Sequence, residues 1–304
     1  MHAAIERRVE QRFAVPEAAV LRLDTSYGTV NIREVPDTKI IEVVITQTAE
    51  VDTEQEMDGR LRMLDLKMDQ RTDGTVMLSA QFRRSLTWSW KSWPPVTLAY
   101  EIQVPKRCDV DIHTGDGRIT VGALEGRVVL GSEHGAIFTS EIDGTIKARS
   151  RTGSVSITAC TGEIDASTDV GNLTVGRAGG RTVLSSDGGY IDLQRASGEV
   201  VVRGNGSDAQ VGFVPPILHS ADIVTSGGSV VLLLNTTAAC TLDLKSSIFG
   251  HVSLRGELPL VVTRGGRGTS SLEGAVNGGG PRILASASGG NVQLRALAPV
   301  PVIQ

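Results

Sequence analysis

The sequence predicts an all-β protein: a β-solenoid of 18-residue coils, similar to a single-stranded β-helix, with a small α+β insertion near its N-terminus. Three observations predict it: an ungapped internal repeat, glycine at two fixed places in each copy, and apolar residues alternating with the strand period of two. Residues 109–198 divide into five consecutive copies: DVDIHTGDGRITVGALEG, RVVLGSEHGAIFTSEIDG, TIKARSRTGSVSITACTG, EIDASTDVGNLTVGRAGG and RTVLSSDGGYIDLQRASG. Position nine is Gly117, Gly135, Gly153, Gly171 and Gly189, and position eighteen is Gly126, Gly144, Gly162, Gly180 and Gly198, so each copy holds two turns and hence two strands.

The first strand places apolar or small residues at positions two and four, from Val110 and Ile112 to Thr182 and Leu184. The second repeats the alternation at position eleven (Ile119, Ile137, Val155, Leu173, Ile191) and at position thirteen, where Thr139 is the polar exception. Position sixteen, which includes Cys160, is a further inward column. Position six is always Ser or Thr (Thr114, Ser132, Ser150, Thr168, Ser186), whose hydroxyl can bond the turn backbone or the adjoining coil. One such coil cannot bury its apolar face alone; stacked in parallel, the coils pool small side chains into a continuous core.

Outward from the array, residues 1–19 form an N-terminal segment, and residues 20–304 form a single solenoid domain whose first coil is 20–37. Residues 38–107 interrupt the period. Within them IIEVVITQTAEV reads as a strand, DTEQEMDGRLRMLDL as a short amphipathic helix opened by Asp52 or Thr53, MDQRTDGTVMLSAQF as a hairpin around Asp73-Gly74, and VTLAYEIQVP as a strand returning to the array. The insertion is expected to cover the N-terminal end of the stack. After Gly198 the coils continue less regularly, at 199–219, 220–234, 240–254 and 282–297, for about nine or ten in all at this period.

Composition narrows the function. With 35 Gly against 5 Phe, 3 Tyr and 3 Trp, the core is built from small side chains. A net charge of -4 gives no electrostatic reason to bind nucleic acid, and no apolar run is long enough for membrane insertion. Cys108, Cys160 and Cys240 lack metal-ligand spacing and read as small core residues. The Asp-Gly turns lack calcium-roll spacing, and no Walker loop, G-x-S-x-G or H-E-x-x-H occurs, so neither a cofactor nor a metal is expected; Gly204-Asn205-Gly206 and Arg264 to Gly268 read as turns.

Four constellations remain. Asp116 and His134 share position eight of successive coils, alongside Asp109, Asp111 and His113, and read as solvated turn residues rather than an acid–base pair. Glu133, Arg151 and Asp169 at position seven read as a surface ion-pair ladder. Asp111 and Asp165 share position three but lie three coils apart, about 14 Å at the strand spacing, too far to flank one glycosidic bond. Trp88, Trp90 and Trp93 cluster in LTWSWKSWPP and are the candidate partner-binding residues, with burial against the end of the stack as the alternative; no catalytic residue is assigned.

TSYGTVNI (25–32), TGDGRITV (114–121), RTGSVSIT (151–158), TSGGSVVLLL (225–234) and SASGGNVQL (286–294) resemble the recurring motif of the bacterial putative-adhesin family of β-strand-repeat domains, akin to auto-transporter adhesin head domains. The resemblance spans about residues 20–297 and consists of turn and core residues, so it carries over no catalytic set. It implies an exported protein of the periplasm or cell surface, with its signal missing from this chain; cytoplasmic residence stays open. The expected function is a non-enzymatic, adhesin-like interaction scaffold binding a protein partner, itself or a glycan. The alternative is a carbohydrate-active β-helix enzyme, a polysaccharide lyase or hydrolase. The specificity is expected where the period breaks, in 38–107 and in 204–219.

Overall fold

The structure is a computed structural model describing residues 4–83, 94–247 and 249–297. Among these residues there are 26 strands and one helix. The chain divides into two compact units, Met1–Gly144 with Ala148–Gly153, and Thr145–Lys147 with Ser154–Gln304.

In the first unit the repeat produces the parallel register its columns require. Val110 lies opposite Val128, Ile112 opposite Leu130 and Ile119 opposite Ile137, each pair 18 residues apart. The coil formed by strands Ala19–Tyr27 and Thr29–Val35 continues the same ladders, with Leu21 against Val110 and Val30 against Ile119. Strands from the 38–107 insertion extend the array beyond that coil rather than lying across it: Val76–Phe82 runs parallel to Ala19–Tyr27, and Thr97–Pro105 parallel to Thr29–Val35. Antiparallel strands then close both edges, Leu64–Gln70 on one face and Ile40–Glu50 followed by Ala4–Ala14 on the other. The final strand carries alternating charges, Glu6, Arg7, Arg8, Glu10 and Arg12, which suit an outer edge.

The helix Glu54–Leu61 opens at Thr53, whose Oγ1 accepts the Glu56 amide at 3.2 Å while the Glu56 carboxylate accepts the Asp52 amide at 3.1 Å. It is shorter than the 52–66 the sequence suggested. Leu64 and Leu66 pair with Phe82 and Ala80, where the hairpin ladder satisfies backbone groups that a one-turn extension would leave at a frayed end.

In the second unit two parallel ladders again follow the repeat: Val155, Leu173, Ile191 and Ala209 stack in one, and Ile164, Thr182, Val200 and Ala221 in the other. The sequence order then breaks. The last coil in the chain, strands Arg282–Ser288 and Val292–Leu297, is not last in the stack. Its strands pair on one side with Ala221–Ser226 and Val230–Asn235, and on the other with Cys240–Ser247 and Val252–Arg255. An antiparallel hairpin, Leu260–Gly265 and Ser271–Val276, covers the outer edge of Cys240–Ser247.

The predicted columns form the core. Val110, Ile112, Val128, Leu130, Leu173, Val175, Leu184, Ile191 and Leu193 are all buried, each removal from water being worth about 1.5–3 kcal/mol for a full Val, Leu or Ile side chain. Cys108 in the first unit, and Cys160 and Cys240 in the second, are buried free thiols. The position-six hydroxyls are satisfied in both expected ways: Ser150 donates to Gly135 O of the adjoining coil at 2.8 Å, and Ser186 donates to Gly188 O of its own turn at 2.8 Å. Thr139 is the exception in its column structurally as well as in sequence, being buried with no hydrogen-bond partner for Oγ1 among the described residues. The turn glycines are required by close approach: a Cβ on Gly189, at φ +110°, would lie 2.2 Å from Gly171 O.

Candidate functional site

Trp88, Trp90 and Trp93 lie outside the described residues. His134 lies opposite Asp116 in the ladder, as the repeat requires, but His113 is the histidine that meets a carboxylate, with Nε2 3.1 Å from Asp111 Oδ1. Arg151 Nη1 reaches Glu133 Oε2 at 3.4 Å, giving the expected rung of the position-seven ladder, and Lys147 Nζ lies 3.6 Å from Asp165 Oδ2. All of these side chains are substantially exposed, so each pair contributes under about 1 kcal/mol. In 204–219 the strand Ser207–Phe213 ends in a loop with exposed Val214 and Leu218.

The perturbed ionisations have structural causes. Burial pushes the Cys108 thiol up to about 12 and the Cys240 thiol up to about 11, and it raises the Tyr100 hydroxyl, which bonds Thr25 Oγ1 at 3.0 Å. Burial alone would also raise the Asp243 carboxyl, but hydrogen bonds from Arg282 and Lys245 outweigh it and hold Asp243 below its ordinary value. Among the described residues no three His, Cys, Asp or Glu side chains converge as metal ligands.

A cleft of about 450 Å³ is present in the second unit, and it arises from the out-of-order coil. The strands Val230–Asn235, Val292–Leu297 and Val252–Arg255 lie side by side, so the outward residues Val231, Gln293 and Ser253 fall in one row and form the floor. The turns preceding them align Ser229, Asn291 and His251 in a second row. This row is tied by side chains that accept the next backbone amide: Ser229 Oγ from Asn291 at 3.1 Å, and Asn291 Oδ1 from His251 at 3.0 Å. Arg255 flanks the floor, and Arg267 lines the cleft from the tip of the hairpin.

That tip is held in place. Val252 donates to Thr269 O at 2.7 Å and Gly268 to Val252 O at 2.9 Å, while Thr269 Oγ1 donates to Gly266 O at 2.7 Å. Two residues before His251, Phe249 is fully exposed at φ +65°, a conformation that costs a side-chain-bearing residue about 1–2 kcal/mol. The cleft therefore combines two guanidiniums, an imidazole and neutral amides and hydroxyls, with no carboxylate among its lining residues. Such an arrangement can hold an anion and hydrogen-bond hydroxyls. Sequence reading missed it because its residues come from segments beginning at 229, 251, 267 and 291. The available signal was Arg267 in RGGRG, which read there only as a turn.

No family model matches the chain, and no curated protein matches it. Solved structures similar to it include a putative adhesin of Bacteroides fragilis, 11% identical over 96% of this chain and 97% of that one, with a TM-score of 0.45. A putative cell adhesion protein of Clostridium sporogenes is 12% identical over 96% of this chain and all 100% of its own, with a TM-score of 0.23. A putative adhesin of Parabacteroides distasonis is 10% identical over 96% and 97%, with a TM-score of 0.43. Among the described residues no helix is long and apolar enough to cross a membrane.

Proposed function

We propose that this chain is a non-enzymatic, adhesin-like scaffold, a β-solenoid of 18-residue coils that acts at the bacterial cell envelope or surface by binding a protein partner, a second copy or a glycan. The observation that carries this reading is the composition of the cleft: cationic, amide and hydroxyl groups line it without a carboxylate. Glycoside hydrolysis typically uses two carboxyl groups flanking the scissile bond, and this arrangement lacks both. Polar groups elsewhere have structural uses: the hydroxyls of Ser150 and Ser186 close turns, and Lys147 with Asp165 and Arg151 with Glu133 pair across rungs. The segment holding Trp88, Trp90 and Trp93 is a second proposed contact surface.

The test is incubation of the purified chain with acidic and neutral polysaccharides, following both retention and chain length. The scaffold reading expects retention on at least one surface with no shortening of any polymer. Shortening that disappears in Asp116→Ala or His134→Ala would overturn it in favour of the enzyme.

A further inference from the structure

We infer that the cleft between Arg255 and Arg267 binds a carboxylate-bearing saccharide. The inference rests on the scaffold reading and names the ligand class for one of its surfaces. In a chain with 30 Lys and Arg against 34 Asp and Glu, a cleft without an acidic residue is a local reversal of sign. Neither Arg255 nor Arg267 has a carboxylate within 4.0 Å among the described residues, whereas nearby Arg264 and Arg282 are paired with Glu273 and Asp243.

The geometry favours a planar carboxylate over a phosphate. A phosphate cradle needs converging free amides, but the Gly266 amide donates to Ser271 O at 3.1 Å and the Gly268 amide to Val252 O at 2.9 Å. What remains are two guanidinium forks, which match carboxylates and phosphates alike, so the preference for a carboxylate rests on the missing amide cradle. The latched tip fixes the backbone carrying Arg267 and so reduces the ordering cost of binding.

The floor and rim indicate a sugar rather than an acidic peptide. Asn291 Oδ1 is taken by the His251 amide, Gln293 Oε1 by Arg295 and Ser253 Oγ by Gln293 Nε2, which leaves the Ser253 hydroxyl, Asn291 Nδ2 and the second Gln293 N–H as neutral donors in a row, the complement of the oxygens of a ring bearing several hydroxyls. The volume of about 450 Å³ falls within the range of small-ligand sites.

The experiment is isothermal titration of the full chain with a galacturonate trimer, a neutral galactose trimer, triglutamate and inorganic sulfate. The acidic trimer is expected to bind at least about tenfold more tightly than the other three, with Arg255→Gln and Arg267→Gln each weakening it about tenfold. No binding, equal binding of the neutral trimer, or equal binding of sulfate or triglutamate would overturn the inference. Binding of the acidic trimer that both arginine variants leave unchanged would also overturn it, while leaving the scaffold reading standing. Conversion of the trimer to unsaturated or shortened products would instead overturn the scaffold reading.

Discussion

Replacing Gly189 by alanine tests the close approach on which the stacked turns depend. The residue sits at φ +110°, where a side chain costs about 1–3 kcal/mol. The new Cβ would start 2.2 Å from Gly171 O, and restoring ordinary contact at 3.4 Å requires the two turns to part by about 1 Å. The Gly171 amide donates to Gly188 O at 3.2 Å, so that displacement also breaks a backbone hydrogen bond worth about 0.5–1.5 kcal/mol. Together the penalties come to about 2–4 kcal/mol, a large part of the about 5–15 kcal/mol that holds a domain folded. At a urea dependence near 2 kcal/mol/M, the midpoint should fall by about 1–2 M. Circular dichroism across a urea series measures it, with Gly266→Ala as the control in the same unit, since no atom lies within 4 Å of that Cβ position. An unchanged midpoint for Gly189→Ala, or an equal fall in the control, would refute the reasoning.

Thr139→Val should raise stability by about 1–2 kcal/mol, since it removes a buried hydroxyl without a partner in nearly the same volume; calorimetry showing a loss would mean the hydroxyl is satisfied in solution. With Cys108 at about 12 and Cys240 at about 11, a thiol reagent at pH 8 should leave the native chain unmodified and titrate three thiols after unfolding; rapid native reaction would contradict the core assignment. Because the folded carboxyl of Asp243 is held below its unfolded value, its contribution is present above the ordinary carboxylate range and lost as the pH falls through the folded value. Asp243→Asn should therefore lose stability at pH 7, with the loss shrinking as the pH falls below the ordinary carboxylate range, and a loss independent of pH would refute the ion pair with Arg282 and Lys245. Deleting residues 282–304 should abolish the cooperative unfolding transition of the second unit rather than shorten it, because the buried Ile283, Val292 and Leu294 belong to a coil with neighbours on both sides; an intact transition in hydrogen exchange would show that the outer coil can close the gap.

The sequence by itself determined which residues face inward and where the chain turns. Val110, Ile112, Leu173 and Ile191 were legible because a period of two admits only one assignment of faces, and the glycine columns because a turn stacked on another turn leaves no room for a Cβ. The hairpin at Asp73-Gly74 and the cap at Thr53 were legible for similarly local reasons. Outside the regular 18-residue repeat, the tertiary structure alone decided which coil neighbours which. Every coil presents nearly the same Val, Ile and Leu columns, so the pattern that specifies a face cannot specify a partner. The loops and end hairpins put Arg282–Leu297 between Ala221–Asn235 and Cys240–Arg255, and Val76–Phe82 outside Ala19–Tyr27. That placement brings Asn291 and Gln293 between Ser229 and His251 and aligns the cleft floor, which is why a site assembled from four segments left no contiguous mark in the sequence.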